Sequence, residues 1–87
     1  MELKLIGILD KKANVINHIR TYRSSTDALR AAQVAANSDK SELNSYPDDY
    51  QVVQLGTVDD ETGEMTSDKN ILDDVINLIK KPSLQEV

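Results

Sequence analysis

The chain has 87 residues, 39% of them hydrophobic and 29% charged, with a net charge of −5. That composition fits one small folded domain, which buries only about 60–65% of its unfolded surface. It is globular rather than disordered, and the length leaves little room for a second domain. With no cysteine, disulfides, zinc–thiolate sites and thiol catalysis are excluded as well.

The only aromatic residues are Tyr22, Tyr46 and Tyr50, so the core must come from Ile, Leu, Val and Ala. Aromatic side chains supply large buried areas, and their scarcity leads us to expect a homodimer. "LIGIL" is too short to span a bilayer or act as a signal segment, and the expectation is no membrane and a cytoplasmic location. Charge divides unevenly. Residues 1–40 carry seven cations against four carboxylates, and residues 41–87 carry three against eleven.

In chain order, "ELKLIGILD" (2–10) alternates around Leu3, Leu5, Gly7 and Leu9 and predicts a strand. "VINHIRTYR" (15–23) predicts a second, hairpin-paired strand. Simple alternation puts Val15, Asn17, Ile19 and Thr21 on one side and Ile16, His18, Arg20 and Tyr22 on the other. "SSTD" (24–27) is a helix start, with Ser24 as its cap. The alanine-rich "ALRAAQVAANSD" continues that helix, with Ala28, Leu29, Ala32, Ala35 and Ala36 on its buried side. "NSDKSELNSYP" predicts a turn or a short helical piece, ended by Pro47.

"DYQVVQLGTV" (49–58) is the clearest strand, and "EMTSD" predicts a short fourth one. Ile71, Leu72, Val75, Ile76 and Ile79 recur at helical spacing and predict a last helix over 71–81, capped by Asp68 or Asn70. Asp73 and Asp74 near its start and Lys80 and Lys81 at its end suit the macrodipole, and Pro82 would stop it. The expected fold class is therefore α+β: a small antiparallel sheet in β-β-α-β-β-α order, helices packed on it. Residues 1–82 form one domain and 83–87 a loose tail.

Chemistry is sparse. His18 is the only histidine, so no histidine cluster or dyad can form within one chain. No serine sits in a G-x-S-x-G elbow, and glycines at 7, 56 and 63 cannot build a phosphate loop. "DDETGE" (59–64) sets four carboxylates in six positions, but its spacing fails the calcium-loop pattern. It reads instead as a type I turn with Gly63 left-handed and Asp59 or Asp60 accepting from turn N–H groups. A nuclease would need carboxylates converging on a divalent ion, which this turn alone does not provide. No enzyme activity, cofactor or metal site is expected. What remains is a set of side chains suited to nucleic acid: Lys11, Lys12, Arg20, Arg23 and Arg30 for phosphates, and Tyr22 for base stacking.

Several stretches together carry a resemblance. "ILDKKA", "ALRA", "YPDDY" and "LGTVDDETGEM" occur in order through residues 3–65. They resemble the small nonstructural protein of gokushovirus-type microviruses, tailless single-stranded-DNA bacteriophages. The matching positions are Asp10, Lys12 and Ala13; Ala28 and Arg30; Pro47, Asp49 and Tyr50; and Leu55, Gly56, Asp59, Asp60, Thr62, Gly63 and Glu64. Tyr46, Asp48 and Val58 depart from the pattern, where histidine, glutamate and an aromatic are usual. The resemblance implies a non-virion protein in the bacterial host. It would bind single-stranded DNA or assist genome replication and packaging, with phage replication or assembly proteins as partners. It supplies no catalytic residues. The alternative expectation is a homodimeric protein–protein adaptor that meets no DNA, using the last helix or an open sheet edge as its interface.

Overall fold

The first hairpin is set by a short polar turn. In the structure, a computed structural model describing residues 1–79, strand β1 (Glu2–Asp10) runs antiparallel to β2 (Val15–Tyr22). Asp10 closes the turn: its Oδ1 accepts from the N–H groups of Lys12 at 3.0 Å and Ala13 at 3.1 Å. Asn14 takes the left-handed conformation (φ 58°) that asparagine tolerates well.

The pairing then corrects the simple alternation expected for β2. Ile6 pairs with Arg20 and Ile8 with Asn17, so His18 and Ile19 together oppose Gly7. His18 is the extra residue, in a left-handed conformation at φ 55°, and the pair forms a β-bulge. Asn17, Arg20 and Tyr22 consequently share one face. Ile16, Ile19 and Thr21 take the other. A β-carbon on Gly7 would stand 2.7 Å from Ile16 Cγ2 and 3.1 Å from Ile19 Cγ1, so the glycine makes room for both isoleucines.

Helix α1 (Ser25–Ala36) starts where expected: Ser24 Oγ accepts from the Asp27 N–H at 3.2 Å. Ala28, Ala32 and Ala36 recur at every fourth position and are buried against the sheet. Asn37 ends the helix, and its Nδ2 donates to the Leu78 carbonyl at 2.9 Å. The short helix α2 (Glu42–Ser45) is capped by Ser41 and followed by a 3₁₀ turn over Pro47–Asp49.

Strand β3 (Tyr50–Asp59) pairs with β1, and β4 (Met65–Asp74) pairs with β3, giving an antiparallel sheet ordered β2-β1-β3-β4. The α+β class is as expected, but the last helix is not. Ile71 pairs with Val53 and Asp73 with Val52, so β4 extends well past the expected short strand. Asp68 and Asn70 are strand residues and cap nothing. Only a 3₁₀ turn over Val75–Leu78 follows. The free edge of β3 offers a full ladder of hydrogen bonds, whereas "LDD" is a poor helical start on propensity. Apolar spacing survives the change: Leu72, Leu78 and Ile79 still pack on the core, and Val75 is wholly buried. Lys80, Lys81, Pro82 and the tail 83–87 lie outside the described residues.

The main core lies between α1 and one face of the sheet, built on Ile6, Val52, Tyr50, Leu43, Val75 and the three alanines. The opposite face, carrying Leu5, Leu9, Ile16 and Val53, has no helix over it among the described residues.

Candidate nucleic-acid interface

Because α1 presents alanines, it does not fill the space between its axis and the edge strand. A cleft of about 400 Å³ remains, within the range of small-molecule sites. Its floor is Ile6, Ile8 and Val52, and Ala28, Ala31, Ala32 and Ala35 form the helical wall. Leu43, Ser41 and Glu42 close one end, together with Tyr50. Asn17, His18, Arg20 and Tyr22 supply the polar rim on β2.

Tyr50 is nine-tenths buried, and its hydroxyl donates to Glu42 Oε2 at 3.2 Å. Burial, then the negative charges of Glu42 and Asp10, push its phenol above the ordinary tyrosine value. The cleft end is thus held by a neutral donor on a carboxylate.

Of the six expected binding residues, Arg20 and Tyr22 line the cleft together, on one face as alternation places them, and the bulge adds Asn17 to that face. Lys11 and Lys12 are exposed on the turn before β2, and Arg23 is exposed just after it. These five follow the outer strand over roughly 25 Å, at the usual rise per residue. Arg30 stands apart: it is exposed two positions after buried Ala28, about 200° around the helix. Among the described residues, none of these cationic side chains takes part in an ion pair or hydrogen bond.

The two edges of the sheet differ in sign. Residues 11–23, on and around β2, include four lysines and arginines and no carboxylate. Residues 60–74, on and around β4, include six carboxylates and one lysine. Sheet order places these segments on opposite edges.

The acidic stretch at 59–64 is the tip of the β3–β4 hairpin. The Gly63 N–H donates to the Asp59 carbonyl at 2.7 Å, and Gly63 is left-handed at φ 77°. Asp59 Oδ1 accepts from the N–H groups of Glu61 at 2.8 Å and Thr62 at 3.3 Å, which holds its carboxyl below the ordinary carboxylate value. Asp60 does not cap the turn; it accepts from the Met1 ammonium at 2.7 Å. Among the described residues, no three His, Asp or Glu side chains converge as a metal site would need.

Sequence reasoning missed Asn17, Glu42 and Tyr50 as cleft residues. The alanine stripe of α1 is a local sign of a slim helix, but nothing local brings residues 42 and 50 beside β2.

The chain therefore presents a small α+β domain with a basic edge running beside a half-open cleft. It belongs to the phage ORF5 protein family, whose family model matches residues 3–81. It is a phage protein. No curated protein and no solved structure matches it. No helix among the described residues is long and apolar enough to cross a membrane.

Proposed function

We propose that this phage protein is a non-enzymatic accessory factor of a gokushovirus-type microvirus. In this reading it holds single-stranded DNA in the host cytoplasm during genome replication or packaging. One observation carries it: Arg20 and Tyr22 stand on the same face of the edge strand, over a cleft, on the sheet's basic edge. Tyr22 offers a ring for an unstacked base, and Arg20 neutralises a neighbouring phosphate. Lys11, Lys12 and Arg23 extend the cationic track at either end. The acidic β4 edge repels the strand elsewhere, so a chain with pI near 4.6 still has one edge fit for nucleic acid.

Fluorescence anisotropy with a labelled single-stranded oligonucleotide over a salt series tests this. Binding should weaken steeply with salt. Arg20→Ala should reduce the log–log slope by about 1, and Tyr22→Leu should lower affinity without changing that slope. An absence of binding at low salt would overturn the proposal, as would wild-type binding by the doubly substituted chain. A second reading, a homodimeric adaptor without DNA contact, is favoured by the sheet face that no helix covers among the described residues. A dimer that shifts no oligonucleotide would select it.

A further inference from the structure

The sheet face away from α1 is uncharged and largely apolar over three strands, and β4 adds Asp74, whose Oδ1 accepts from Gln51 Nε2 at 2.7 Å on the same face. At its paired positions, β1, β2 and β3 bring Leu5, Leu9, Ile16, Val53 and their neighbours, and no charged residue. Val53 at its centre is already fully buried within the single chain, outside the helix-side core, and Leu5, Leu9 and Ile16 are half-buried around it. Ile19 and Ile71 flank it on the two edge strands, 50% and 59% exposed. A sheet normally covers such a face with another layer.

We propose that a second copy of this chain covers it, sheet on sheet, with the twofold axis running parallel to the strands. The choice of occupant and axis rests on charge. That rotation reverses the strand order and keeps the level along the strands. Lys11 and Lys12 at one end of β2 therefore lie toward the end of the partner's β4 that carries Asp73 and Asp74, and Arg23 at the other end lies toward the partner's acidic hairpin tip, twice. Arg20 stays on the outward cleft face. A twofold axis in the sheet plane but across the strands would set β2 over β2 and β4 over β4, like charge on like. The register adds an independent coincidence. Gly7, Val53, Ile19 and Ile71 lie at one level along the strands, so the favoured axis sets Ile19 across from the partner's Ile71. Leu5, Thr21, Gly56 and Ser67 form another level, which sets Thr21 across from the partner's Ser67. The helices and the β2 cleft remain on the outside, so this assembly stands whether or not DNA is bound there.

Light scattering over a concentration series should give twice the 9.7 kDa chain mass. Ile19→Glu and Ile71→Glu should each yield a monomer with unchanged far-UV circular dichroism, since both residues are half exposed. Raising the salt should weaken the dimer. The chain has no cysteine, so Thr21→Cys and Ser67→Cys report the axis directly. Facing sheets pack about 10 Å apart, and a dimaleimide of that span should join the two single variants when mixed. It should join neither variant to itself. A monomer at every concentration would overturn the proposal, as would a dimer that survives both glutamates. Self-linkage of Thr21→Cys would overturn the axis.

Discussion

The backbone carbonyl of Thr66 occupies the space that a β-carbon on Gly56 would need. Strands β3 and β4 approach so closely there that only glycine fits. Gly56→Ala should force the β4 backbone away and cost about 2–3 kcal/mol, in the range of overpacked interiors. Gly7→Ala should cost less, because its closest neighbour is the Ile16 methyl group, which a side-chain rotation can move. Urea midpoints for the two variants check the order.

Gly63 presents the opposite situation. Nothing lies within 4 Å of a β-carbon built there, but its φ is +77°. Gly63→Ala should therefore cost only the left-handed conformation, about 1 kcal/mol, and Gly63→Asn should cost less. Equal losses for the two variants in denaturant titrations would contradict this account.

The hairpin tip should make stability acid-sensitive. The Asp59 carboxyl is held below its ordinary value, chiefly by the Glu61 N–H. Its contribution is fully present above the ordinary carboxylate value and fades as pH falls from there through the depressed one. Asp59→Asn keeps the acceptor oxygen and should flatten this part of the pH profile. Asp59→Ala should lower the midpoint even at neutral pH.

Tyr50 should act at the alkaline end. Its fold favours the neutral phenol, so the contribution is intact below the ordinary tyrosine value and lost as pH rises through the elevated one. Ultraviolet difference titration should show one tyrosine ionising late. Tyr50→Phe should remove that late step and cost at most about 1 kcal/mol, the net worth of its hydrogen bond to Glu42.

Two alanines of α1 should separate packing from binding. Ala36 is wholly buried, and Ala36→Leu should cost about 1–3 kcal/mol through overpacking. Ala31 is exposed and lines the cleft, so Ala31→Leu should leave thermal stability near wild type. It should nevertheless weaken oligonucleotide binding by narrowing the cleft.

Local chemistry carried much of the fold. The Ser24 cap, the alanine stripe and the Asp59–Gly63 turn each rest on residues within a few positions of one another, and all three are found as their sequence suggests. Two features turned on partners distant in sequence. Residues 71–74 have a helical apolar pattern, yet the vacant edge of β3 draws them into the sheet. In β2, alternation alone put Asn17 with Ile19 and Ile16 with Arg20, pairs that the bulge opposite Gly7 sets on different faces. The candidate site shows the same division. Arg20 and Tyr22 were readable as a binding pair, whereas the cleft behind them depends on α2 and Tyr50 arriving from elsewhere.

The bulge at His18 also bears on how this chain stays in solution. An outer strand with an unbroken row of free N–H and C=O groups is a template on which further strands can add without limit. Here the outer row of β2 is broken at His18, and β4 is irregular on both sides of its Val53–Gln54 pairing. Arg20 on one margin and Asp68 and Lys69 on the other add charge to these interruptions. Neither margin is a regular docking line for a fifth strand. Growth into fibrils is thereby discouraged, even though Ile19 and Ile71 leave half-exposed aliphatic side chains on both outer strands.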